Sequence, residues 1–144
     1  MTEILRRRIL RAHGLYLGAF GFVSFFALDL RAVILGTGPE SGLTRLAPNC
    51  AVGFLESHGL AVAIALLFFR ARPSRLWHLV AGGVAALLAT CNIAFWSIFT
   101  ELDVMVLGYV STALHWLFVA LELAAAVSSR GPALHAGKQL VEAS

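Results

Sequence analysis

The sequence predicts an all-α integral membrane protein, four transmembrane helices in an up-down antiparallel bundle. Three observations carry this. Four apolar stretches fill the 144-residue chain, at about 13–36, 51–69, 76–99 and 103–127. Each is roughly 19–25 residues, the length a helix needs to cross a hydrocarbon core of about 30 Å. Hydrophobic residues make up 59% of the chain and charged residues 13%, against about 25% charged in soluble domains, and the mean hydropathy is +0.83. The basic residues follow the connections between the stretches rather than one face.

The first eleven residues read as a basic cytoplasmic lead continuous with the first helix, with Arg6, Arg7, Arg8 and Arg11. The apolar run that follows is too long for a signal-peptide core and three more spans come after it, so it is expected to stay as a membrane helix. Gly14, Gly18 and Gly21 share one face of this span, and Gly14–Gly18 is a G-x-x-x-G, a spacing that lets backbones approach closely in lipid. The connection over residues 37–50 holds Pro39, Pro48 and Cys50 and is the only one long enough to cover a bundle mouth. Span two ends at a short turn, RARPSR, where Pro73 breaks the helix. Span three carries Gly82, Ala86 and Thr90 at small-x-x-x-small spacing. The small-residue faces fit packing within one bundle; a homodimer face or a membrane-protein partner is the alternative occupant. A tight turn, Thr100–Leu102, leads to span four, and residues 132–144 read as a disordered cytoplasmic tail after Gly131–Pro132. One domain, residues 1–131, is expected.

Arg6, Arg7, Arg8, Arg11, Arg70, Arg72, Arg75, Arg130 and Lys138 fall on one side of this topology, with Arg45 and the helix-end Arg31 on the other. By the positive-inside rule both termini are cytoplasmic in a bacterial-type inner membrane. The net charge of +3 is therefore topological. No aromatics or reading helix accompany the arginines, so nucleic acid is not an expected partner; the lipid bilayer is.

Ionisable groups in hydrocarbon are costly, which makes each a candidate site. Counted from the outer helix ends, Asp29, Arg31, Glu56, His58, Asn92, Tyr109 and Thr112 reach a similar depth in the outer third, and His115 lies deeper. The common level points to an outward-facing polar pocket lined by Asp29, Glu56, His58, Asn92, Tyr109, Thr112 and His115. Pairing by depth joins Arg31 to Glu56 as a structural ion pair and Asp29 to His58. Residues two apart on a helix diverge by about 200°, so Asp29 and Arg31 cannot both face inward. His13 and His78 are placed at the cytoplasmic surface and Glu122 two turns below His115.

Catalytic motifs are absent: no G-x-S-x-G, no H-E-x-x-H, no phosphate loop. Neither H-x-x-x-H nor E-x-x-H occurs, and no metal site or cofactor is expected. Cys50 and Cys91 form no C-x-x-C pair and read as free thiols. The chain resembles many small bacterial inner-membrane proteins in architecture alone. The expected function is non-enzymatic: an accessory subunit, or a binder of a small or lipophilic molecule. The alternative is a membrane-bound redox protein (haem b or quinone) or isomerase using Glu56, His58 and His115.

Overall fold

The computed structural model describes residues 1–129. The tail expected over 132–144, with Arg130 and Lys138, lies outside the described residues. Everything else is helix or turn: α1 (Glu3–Val23), a π-helical segment (Ser24–Asp29), α2 (Leu30–Leu35), α3 (Ser41–Leu46), α4 (Pro48–Arg70), α5 (Arg75–Ala94), α6 (Trp96–Glu101) and α7 (Met105–Ser128). Four helices are long and apolar enough to cross a membrane: Glu3–Leu35, α4, α5 and α7.

The first of them starts at Glu3, so the basic lead and the first span are one helix, as the sequence reading had them; Thr2 caps it by accepting from the Leu5 N–H. Arg6, Arg7, Arg8 and Arg11 are thus part of a continuous helix of 33 residues. At 1.5 Å per residue, His13 lies about 15 Å above the start of that helix. The helix ends at Gly36, whose φ of 61° is the left-handed conformation a C-terminal cap requires. Ser74 caps α5 through the Trp77 N–H, and Pro48 opens α4 at its first turn, where its missing N–H costs nothing.

The long helices pack chiefly as two pairs, α1 on α4 and α5 on α7. Small residues permit this. A β-carbon on Gly14 would lie 3.0 Å from the Ala65 carbonyl oxygen, one on Gly18 3.1 Å from the Ala65 β-carbon, and one on Gly21 3.0 Å from Ala61 and from the His58 carbonyl. On α5 the buried face is His78, Ala81, Gly82, Ala85 and Ala89, with Ala86 half-buried beside it. Gly82 faces the Glu122 β-carbon at 3.5 Å from its own ideal Cβ position. Leu10, Leu17, Ala65, Phe68 and Ala81 form the apolar centre where the two pairs meet. Trp116 on α7 is exposed. Cys50 and Cys91 are free.

Candidate functional site

The deepest polar group in the protein is one the sequence reading dispersed. His13 on α1, His78 on α5 and Glu122 on α7 are each 0% exposed. They meet: His13 Nδ1 is 3.1 Å from Glu122 Oε1, and His78 Nδ1 is 2.5 Å from Glu122 Oε2. His13 and His78 had been placed at the cytoplasmic surface. His13 lies on the face of α1 that meets Glu122 of α7, and the α5–α7 packing seals His78 against the same carboxylate.

Charge balance defines what this triad requires. An isolated ionised carboxylate buried from water is very costly unless paired. A carboxylate with two neutral imidazoles would carry one uncompensated negative charge. One added proton makes the cluster neutral, whether it resides on an imidazole or on the carboxyl. Each of the two short contacts can hold a proton on either side. The two Nδ1–carboxylate contacts hold one proton each, so the third proton, which makes the cluster neutral, sits on an Nε2; both Nε2 atoms are buried without a hydrogen-bond partner.

Aromatic packing fixes the rings. His13 stacks on Phe118 with centroids 4.4 Å apart and planes 9° from parallel, and it tilts against Phe68 at 5.2 Å. Tyr16, one turn up from His13, stacks on Phe118 with centroids 5.4 Å apart and meets His115 edge-on at 5.3 Å. The Tyr16 hydroxyl donates to the Ser111 carbonyl at 3.2 Å and lies 3.4 Å from His115 Nε2. His115 is buried and its Nδ1 has no partner.

The residues expected to share one pocket divide instead into separate groups. Asp29 and His58 meet, with His58 Nδ1 2.8 Å from Asp29 Oδ2. The π-helical segment ends at Asp29 and carries it to the buried side; such insertions recur where a helix must re-aim a side chain. Glu40, from the connection above, is buried beside this pair, and its carboxyl is pushed up to about 7 by burial first and then by the Asp29 charge and a hydrogen bond with Asp29. Asn92 bonds within its own helix pair, donating to Ser111 Oγ and Thr112 Oγ1, both at 3.1 Å. Tyr109 is exposed and packs on Trp96 at 4.8 Å.

The Arg31–Glu56 ion pair is not formed. Arg31 Nε donates to Thr37 Oγ1 at 3.2 Å, Glu56 is exposed, and no hydrogen bond or ion pair links Glu56 to His58 or His115 among the described residues. Both side chains leave the packed face by the two-residue rule: Asp29 and His58 take the inward directions, so Arg31 and Glu56 cannot.

The sequence did carry a signal for the triad. Leu10, His13, Gly14, Leu17 and Gly21 repeat at helical spacing on one buried face of α1, as do His78, Ala81, Gly82 and Ala85 on α5. On α7 the face is Ser111, His115, Phe118, Glu122, Ala125 and Ala126. A titratable residue lying in register with small packing residues marks a helix contact. Among the described residues no group of three or more His, Cys, Asp or Glu side chains is arranged to hold a metal ion. No protein-family model, curated protein or solved structure matches this chain.

Proposed function

We propose that this chain is a non-enzymatic protein of a bacterial-type inner membrane, an up-down antiparallel four-helix bundle with cytoplasmic termini, whose working element is the proton-sharing triad His13–Glu122–His78. It acts as an accessory subunit of the bilayer that responds to proton uptake and release. The single observation behind this reading is the burial of one carboxylate between two imidazoles drawn from three helices of both helix pairs. A fixed apolar contact would hold the helices at less desolvation cost. A histidine–carboxylate group inside the membrane is the chemistry of proton exchange. The arginine-rich end supports the orientation through the positive-inside rule. Reporter fusions after Arg70 and within residues 37–50 test it: cytoplasmic signal is expected at the first and external signal at the second.

The role of the triad is tested by histidine-selective NMR of the whole protein in micelles, which distinguishes neutral tautomers from imidazolium at each ring nitrogen. One proton shared among the three groups is expected to give averaged signals at both Nδ1 nitrogens, and Glu122→Gln is expected to leave one fixed tautomer on each ring. If the rings of the unaltered protein already show fixed tautomers, the triad is a fixed clamp and the proton-responsive reading fails.

A further inference from the structure

Two open surface grooves, of about 430 and 370 Å³, adjoin each other at the arginine-rich end. The smaller is lined by Arg7 and Arg11 from α1, Arg70 from the last turn of α4 and Arg72 from the turn after it, together with Glu3 and Ala71. Its charge is unbalanced. Glu3 is the one acid present, and it is engaged by Arg7 at 3.0 Å. Arg11, Arg70 and Arg72 have no carboxylate within 4 Å among the described residues.

We infer that this groove binds the phosphodiester headgroup of an anionic phospholipid, an assignment that rests on the membrane reading above. Guanidinium groups present forked donors that match phosphate oxygens two at a time. Here the donors come from two segments far apart in the chain, α1 and the α4–α5 turn, so the groove exists only in the folded protein. The apolar surface beside it selects a lipid over a free anion. Leu15, Leu66 and Phe69, on the membrane side of Arg11 and Arg70, and Leu76 at the start of α5 are exposed. A phosphate seated between Arg11 and Arg72 would have its acyl chains run along these side chains. The groove also caps the α1–α4 contact, so a bound headgroup ties the start of α1 to the end of α4.

The test uses the full-length protein incorporated in nanodiscs. The discs contain phosphatidylcholine alone or with phosphatidylglycerol, and lipid retention is read by native mass spectrometry. Incorporation is scored first and separately: a chain that does not enter the discs overturns the membrane reading, and the lipid site with it. In discs, phosphatidylglycerol is expected to stay bound in preference to phosphatidylcholine. Arg70→Gln with Arg72→Gln is expected to weaken retention roughly 25-fold, about fivefold for each arginine near a membrane surface. Arg45→Gln, outside the groove, leaves it unchanged. Arg70→Lys with Arg72→Lys keeps the charge without the forked donors, and a loss of a few-fold is expected. Equal retention of the two lipids overturns the inference, as does an unchanged Gln variant. Full rescue by lysine also overturns it, since that result describes diffuse surface charge. Displacement of the lipid by millimolar inorganic phosphate assigns the groove to a free anion and overturns the lipid assignment.

Discussion

Removing the Glu122 carboxylate in two ways separates its hydrogen bonding from its charge. Glu122→Ala leaves the Nδ1 atoms of His13 and His78 facing an empty space with no acceptor, at a position that is 0% exposed. Side-chain hydrogen bonds between membrane helices average about 0.6 kcal/mol and reach about 1.7 kcal/mol. A buried donor left unmade adds about 1–3 kcal/mol. With two contacts broken, one of them at 2.5 Å, the expected loss is about 2–4 kcal/mol. Glu122→Gln keeps the volume and one carbonyl acceptor. Its amide presents N–H to the second imidazole, which can accept by moving its own proton to Nε2. That adjustment costs about 1 kcal/mol, the scale of one weakened hydrogen bond.

The measurement is unfolding in mixed micelles, titrated with a denaturing detergent and followed by far-ultraviolet circular dichroism and tryptophan fluorescence. A double-mutant cycle with His78→Ala reports the coupling directly, expected at about 1–2 kcal/mol for residues in contact. The reasoning is refuted if Glu122→Ala costs less than about 1 kcal/mol, or if the cycle returns a coupling near zero. Either result would mean that the three side chains sit together without depending on one another.

Gly14→Leu places side-chain atoms where a β-carbon alone would already lie 3.0 Å from the Ala65 carbonyl; a loss of about 1–3 kcal/mol is expected from overpacking, read in the same micelle titration, while the exposed Gly83→Leu serves as the neutral comparison. Glu40 holds a proton in the folded protein from its ordinary value of 4.5 up to about 7, a window in which the unfolded chain releases it. Stability contributed at Glu40 is therefore present at acid pH, falls as pH rises from 4.5 to about 7, and is flat above; the shift bounds the effect at about 3 kcal/mol. Glu40→Gln should flatten that slope in micelle unfolding measured across the window, and an unaltered slope would assign it to another group. Asn92→Ala removes two hydrogen bonds to α7, to Ser111 and Thr112, and should cost about 1 kcal/mol in the same micelle titration without altering the ring-nitrogen NMR signals of His13 and His78.

Hydropathy made the four long helices legible, because a membrane span is a property of a whole window. Depth counting also brought Asp29 to His58, two residues at matching distances from adjacent helix ends. The run of the basic lead into span one was legible as well, and the Thr2 hydroxyl on the Leu5 N–H marks its start. The meeting of His13, His78 and Glu122 was not, because which helices pack against one another is not registered by hydropathy. The expected polar pocket failed for a different reason. Depth is one coordinate of three, and residues at one depth meet only if rotation about each helix axis also agrees. Glu56 and His58 share a depth to within one turn, yet one is exposed and the other sits on Asp29. The π-helical turn before Asp29 shifts that rotation again, and nothing in its SFFALD sequence announces it.

The two kinds of helix contact in this bundle obey different physics, and the difference explains where the titratable residues are. Lipid tails are as apolar as leucine, so apolar helices gain nothing in a membrane merely by meeting. Within α1–α4 the gain comes from close approach, which glycine and alanine supply at Gly14, Gly18, Gly21 and Ala65. Between α1 and α7 that device is missing and polar pairs replace it at two-turn steps. Arg6 donates to Ser129, and seven residues further along each helix His13 meets Glu122. Tyr16 then reaches His115 and the Ser111 carbonyl. Residue numbers rise on one helix as they fall on the other, so the line can continue only while the faces stay in register. Close-packed glycine contacts do not change with pH. The contact that joins the two pairs is held by directional polar pairs, so a single polar substitution there can loosen one pair from the other while each pair stays intact.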